Sequence, residues 1–177
     1  MKEIVAEALQ VTEDEIAFDQ IMTDYGQAIL QLAYSYVKNN AIAEDLTQEI
    51  FIKCYKSLHT FQHHSNFKTW LWRIAINHCK DYLRSWHHRK VLLTYESEVE
   101  PASDHDHVEQ AVIQLNEDSK LIKAILQLPL KFREPIYLHY FEEMSIKEIE
   151  LLTGVKQNTI KTRMRRAKTL LKESLEG

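Results

Sequence analysis

The stretch from Ser145 to Leu171, SIKEIELLTGVKQNTIKTRMRRAKTLL, writes out two helices and the turn between them. Ser145-x-x-Glu148 is a capping box, the pattern in which serine and glutamate each bind the other's backbone N–H at a helix start. Gly154 suits the left-handed residue that ends such a helix. A second helix is predicted over about 157–175, and at 100° per residue it divides into two faces. Ile160, Met164, Ala167 and Leu171 form one apolar stripe with Leu170 beside it, while Lys161, Arg165, Lys168 and Lys172 repeat the same spacing on another face. Thr162, Arg166 and Thr169 widen that polar arc. From Thr153 to Lys172 there are seven Lys or Arg and no Asp or Glu, so the glutamate–lysine pairing that usually neutralises an exposed helix is missing. A short capped helix, a glycine turn and a longer basic helix make a helix-turn-helix candidate. Lys161 and Arg165 are then placed to meet guanine edges, with Thr159 and the outlying cations on phosphates. Arg163, at the edge of the apolar arc, suits a structural ion pair.

This basic segment sits in a chain whose formal net charge is −4. The charge is sorted along its length. Residues 1–25 hold seven acids against one lysine, residues 66–90 six Lys or Arg against Asp81, and residues 91–120 eight acids against Lys120. Acidic, basic, acidic, basic: the alternation suggests two separate polyanion-facing surfaces. The 177 residues allow one medium domain or two small ones. Gly and Pro occur only three times each, which favours helices over strands. No apolar run approaches the roughly 20 residues that span a bilayer, and MKEIVAEALQ lacks the basic start and apolar stretch of a signal peptide. Cys54 and Cys79 offer neither a disulfide framework nor zinc spacing. A reducing cytoplasm, no membrane insertion, no metal and no cofactor are the expectations.

The remaining elements follow from caps and breakers. Thr12-x-x-Glu15 opens a helix to about Lys38, another runs from Asn39-Asn40 to about Leu58, and a third from Asn66 to about Lys90. YESEVEPASDHDH, residues 95–107, has Pro101, many acids and no amphipathic period, and reads as a linker. Further helices are predicted at about 108–127, 131–141 and 145–153. The fold class is all-α: two small helical domains, 1–92 and 116–177, joined by a flexible acidic linker over 93–115.

The third helix carries a second basic face. Phe67, Trp70, Leu71, Ile74, Ala75, His78 and Tyr82 fall on one side, and Arg73, Asn77, Lys80 and Arg84 line the other. The aromatics Phe67, Trp70 and Tyr82 read as core. Trp72 and Trp86 lie off that stripe and are expected to be exposed, where rings mixed with cations and an amide suit unstacked bases. Two such faces on tethered domains gain avidity when both are engaged together.

AEDLTQEIFIKCYKSL, FKTWLWRIAINHCKDYLR and LPLKFREPIYLHYFEEMSIKEIELLTGVKQNTIKTRMRRAKTLL closely resemble, in order, the extracytoplasmic-function group of bacterial sigma factors. The resemblance covers roughly 15–90 and 117–173. It implies a transcription initiation subunit that is not an enzyme and makes or breaks no bond. By motif, Asp45, Gln48 and Glu49 would dock on the beta-prime coiled coil of core RNA polymerase, with the beta flap as a further contact. Asn77 and the loop residues Gln62, His63, His64, Ser65 and Asn66 would hold a flipped base of the separated minus-ten strand, beside Trp72, Arg73, Lys80 and Arg84. Thr159, Lys161, Thr162, Arg165, Arg166 and Lys168 would read the minus-thirty-five element of promoter DNA. The family usually pairs with an anti-sigma factor, often membrane-anchored, and the acidic linker is expected to thread through polymerase.

Two residues depart from the family pattern. Pro135 falls where the helix usually continues, and an interior proline costs roughly 3 kcal/mol, so a late start or a kink is expected. Glu150 stands where a small residue is usual and needs a partner, with Arg163 the candidate and Glu148 a competitor. A stand-alone helix-turn-helix regulator would explain only 145–172, leaving the second basic face unemployed. Metal catalysis is suggested by nine histidines, including His63-His64, His87-His88 and Asp104-His105-Asp106-His107, but no His-Glu-x-x-His pattern supports it.

Overall fold

Helices account for the regular structure of the described residues, and the side chains of Asn39, Asn66 and Ser145 cap three of their starts. The computed structural model describes residues 13–61, 66–94 and 118–177. The linker at 95–107, the first part (108–117) of the helix expected over about 108–127, Thr12 of the first capping box and Gln62, His63, His64 and Ser65 lie outside them. The described residues form seven α-helices: α1 (Glu13–Val37), α2 (Asn40–Ser57), α3 (Phe67–Thr94), α4 (Asp118–Gln127), α5 (Leu130–Tyr140), α6 (Ile146–Thr153) and α7 (Gln157–Glu176), with a 3-10 turn at Leu58–Thr60. The α3 helix continues past the expected Lys90 to Thr94, the last described residue of this stretch; no glycine or proline intervenes to stop it sooner.

The α1–α2 corner is made by two residues. Lys38 takes φ 55° and gives its N–H to the Tyr34 carbonyl at 2.8 Å. Asn39 then caps α2 by accepting from the Ile42 N–H at 3.0 Å. The three N-terminal helices pack on one another. Their core is Ile29, Leu32, Ala33 and Tyr36 of α1, Ala43, Leu46, Ile50, Phe51 and Cys54 of α2, and Leu71, Trp72, Ala75, Ile76 and Cys79 of α3.

The C-terminal half is built around α7, which packs on α4, α5 and α6. Its buried residues are Ile160, Met164, Ala167 and Leu171, the stripe read from the sequence. The Ser145–Glu148 capping box forms in both directions, and Gly154 adopts φ 72° as the C-cap. The α5 helix begins at Leu130 and continues through Pro135, so the expected late start does not occur. Pro129 explains this: its fixed φ initiates the turn, and its carbonyl accepts from the Phe132 and Arg133 N–H groups.

The halves meet where α1 packs on α5 and α3 on α6. The joint is rich in charge. Arg133, 4% exposed, donates from Nε to the Ser35 carbonyl at 2.6 Å and from Nη2 to that of Tyr36 at 3.3 Å. From Nη1 it reaches the carbonyls of Leu126 at 3.0 Å and Leu128 at 2.8 Å. One guanidinium thus serves carbonyls at the ends of α1 and α4, which lack intrahelical partners and carry the negative pole of each helix. Beside it, the Tyr36 hydroxyl donates to Glu134 Oε1 at 2.5 Å, and Lys80 of α3 pairs with the same oxygen at 2.7 Å. Lys68, also of α3, pairs with Glu142 at 3.3 Å and lies 5.0 Å from the centre of the Trp72 ring.

Candidate nucleic-acid interface

The capped α6, the Gly154 turn and α7 form a helix-turn-helix, and burying the apolar stripe of α7 fixes what faces outward. Thr159, Lys161, Thr162, Arg165, Arg166 and Lys168 are all exposed. Among the described residues, Lys161, Arg165 and Arg166 form no ion pair, and the Lys172–Glu176 contact at the far end is an exposed one of 3.8 Å. Thr162 donates to the Asn158 carbonyl at 2.9 Å and keeps its oxygen lone pairs for an outside donor. Lys168 sits 5.4 Å from the centre of the exposed Tyr140 ring, which holds its ammonium at the rim of the cationic face. This surface can take a polyanion without first breaking salt bridges.

Glu150 finds its partner in Gln157, whose Nε2 donates at 2.7 Å. Arg163 does not serve, and Glu148, the expected competitor for it, does not take it either. Glu148 is taken by Ser145, whose backbone N–H it accepts at 2.8 Å, and this bond holds its carboxyl below the usual carboxylate range. Among the described residues Arg163 makes no ion pair. A neutral amide one helix away settles Glu150 at less desolvation cost than a buried ion pair would carry.

On α3 the expectations divide. Arg73, Asn77 and Arg84 are exposed, and Arg84 makes a 3.3 Å contact with Asp81, itself well exposed, which is weakly held. Asn66 spends its side-chain oxygen as a cap, accepting from the Lys68 N–H at 3.0 Å. Lys80 is drawn into the joint by Glu134. Trp72 is 0% exposed, contrary to the sequence reading. It packs edge-on to Tyr25 of α1. Its indole N–H makes no hydrogen bond of good geometry, yet lies near enough to Glu142 to favour that group's ionised form. Burial pushes the Glu142 carboxyl up, and Lys68, Tyr137 and Trp72 act against that. Trp86 is 41% exposed, with the Lys90 ammonium 4.9 Å from its ring.

On α2, Asp45, Gln48 and Glu49 are exposed on one face together with Ile52, which is 54% exposed. Glu49 is fixed from behind. His78 of α3 contacts its Oε2 through Nε2 at 2.6 Å, and Lys53 reaches His78 Nδ1 at 2.8 Å; lysine has only donors, so His78 accepts at Nδ1 and donates to Glu49. The sequence reading placed His78 on the apolar side of α3 and missed this relay, as it missed Lys68. Among the described residues no three His, Cys, Asp or Glu side chains converge as a metal site, and no helix is long and apolar enough to cross a membrane.

The chain thus pairs a basic helix-turn-helix with a second helical half that carries its own exposed cations, the class of a two-part helical protein with two cationic surfaces. Comparison with known proteins narrows this. The Sigma-70 region 2 family matches residues 21–89, and the Sigma-70, region 4 family matches residues 118–171. The ECF RNA polymerase sigma factor SigW of Bacillus subtilis is 34% identical over 171 residues, 92% of this chain and 90% of SigW. The RNA polymerase sigma-H factor of Pseudomonas aeruginosa is 31% identical over 92% of this chain and 88% of its own length. The solved sigma factor RpoE of Bartonella quintana, in complex with the anti-sigma factor NepR, is similar with a TM-score of 0.72 at 27% identity, over 90% of this chain and 97% of that one. The chain belongs to the extracytoplasmic-function group of sigma-70 RNA polymerase sigma factors. Its role is that of a non-catalytic subunit directing RNA polymerase to promoters.

Proposed function

We propose that α7 reads the minus-thirty-five element from the major groove of the duplex, with Lys161, Thr162, Arg165 and Arg166 on base edges and Thr159 and Lys168 on phosphates. The observation that carries this reading is the exposed cationic face of α7, where Lys161, Arg165 and Arg166 form no ion pair among the described residues. The exposed Arg73, Asn77 and Arg84 of α3, joined by Asn66, Lys80 and the loop at 62–65, hold the separated minus-ten strand. A flipped base costs a few kcal/mol to unstack, and these contacts offset it. Asp45, Gln48 and Glu49 of α2 dock on the beta-prime coiled coil of core polymerase, and the C-terminal half meets the beta flap. An anti-sigma factor holds this protein before release; the Bartonella quintana RpoE it resembles was solved in complex with one, NepR.

The test is transcription in vitro with core polymerase on promoters randomised upstream. Arg165→Ala with Arg166→Ala should lose about 1–3 kcal/mol of upstream discrimination per bidentate contact while the complex with polymerase persists. Unchanged upstream selection would refute the assignment of α7. A gel shift with and without core enzyme separates this reading from a stand-alone regulator, which would bind specific duplex alone.

A further inference from the structure

The joint between the halves takes up charge that the promoter reading needs. Lys80 lies on the same face of α3 as Arg73, Asn77 and Arg84, yet it alone of the four is turned into an ion pair with the buried Glu134. Lys68, at the first turn of α3, pairs with the buried Glu142. Both carboxylates belong to the C-terminal half, one on α5 and one in the turn that follows it. The face of α7 stays open in this same arrangement.

We propose that the closed arrangement masks the Lys80 and Lys68 part of the strand-holding surface of α3, with Glu134 and Glu142 standing in there for the phosphates of a single strand. Phosphodiester oxygens and carboxylates make the same charge-assisted hydrogen bonds to ammonium groups. A polyanionic strand therefore competes directly with the two glutamates. The chemistry of the joint suits separation. Arg133, Glu134, Glu142, Lys68 and Lys80 are at home in water once parted, whereas an apolar face of equal area would not be. Because the halves are covalently joined, closure is intramolecular and outcompetes dilute nucleic acid until polymerase and promoter act together. This adds Lys68 to the residues that meet the strand, and it rests on the assignment of α3 to the minus-ten element.

The experiment compares the full chain with the Glu134→Gln, Glu142→Gln double variant. The probe is a labelled single-stranded oligonucleotide carrying the minus-ten sequence of a promoter the parent protein transcribes. The variant should bind it several-fold more tightly, with a larger radius of gyration in small-angle scattering. Adding Lys68→Ala and Lys80→Ala should abolish the gain. Asp19→Asn with Asp24→Asn, an equal charge change on the exposed side of α1, controls for net charge, and circular dichroism checks that the variants are folded. An unchanged radius with unchanged affinity overturns the proposal, as does an equal gain in the Asp19, Asp24 control. Binding of core polymerase and activity on the promoter are measured in parallel. If those are intact while the gain is absent, masking alone fails; if the parent neither binds polymerase nor supports transcription, the reading beneath it fails.

Discussion

At the scale of single residues, two left-handed positions have opposite consequences. Gly154 at φ 72° has open space around its missing Cβ, so the cost of a side chain there is purely conformational. Gly154→Ala should destabilise the C-terminal half by about 1–2 kcal/mol, read as a lowered denaturation midpoint. Lys38 at φ 55° already bears that strain. Lys38→Gly should stabilise the N-terminal half by about 0.5–1 kcal/mol, the relief exceeding the entropy that glycine adds to the unfolded chain. The glycine was legible in the sequence because only glycine is favoured at such a position. Lys38 was not, because nothing in a lysine announces a positive φ.

At the scale of elements, α3 shows where periodicity runs out. A one-sided helix has one apolar arc, and Trp72 fell outside it. In the folded chain α3 is covered by both α1 and α2, and Trp72 sits edge-on against Tyr25 of α1, so its buried arc is wider than the reading allowed. Trp72→Ala should therefore cost about 3–5 kcal/mol and unfold the N-terminal half early in urea; a tryptophan serving only as a base platform would leave the midpoint unmoved. The α6 cap makes a prediction in pH. Glu148 has a folded value below the ordinary 4.5 because it accepts the Ser145 N–H. Its contribution is complete above 4.5 and is lost as pH falls through the lowered value. Glu148→Ala should cost about 1 kcal/mol near neutrality, and the gap to the parent should close on acidification in urea titrations. By contrast most of α7 was readable: its stripe, its turn and its outward cations are local and were found where the spacing put them, while Arg163 lacks, among the described residues, the ion pair expected for it.

At the scale of the whole molecule, what escaped the sequence is what depends on distant pairing. Tyr36 and Glu134 are 98 positions apart, and no window along the chain brings them together. Two helical halves and their basic faces could be read from charge and period, but Lys80 and Lys68 could be seen to be occupied only once the halves were docked. The apparent contradiction of an acidic protein with basic faces is resolved at this scale, since some of its acids lie directly on its own cations. Arg133 bears on how often such docking can be undone. Its Leu126 and Leu128 acceptors belong to its own half and only Ser35 and Tyr36 lie across the joint. When the halves part it keeps half its bonds, and water takes over the carbonyls it leaves. No ion is stranded in oil and no helix end unravels, so the joint behaves as a press-stud, ready to be fastened again after each round of use.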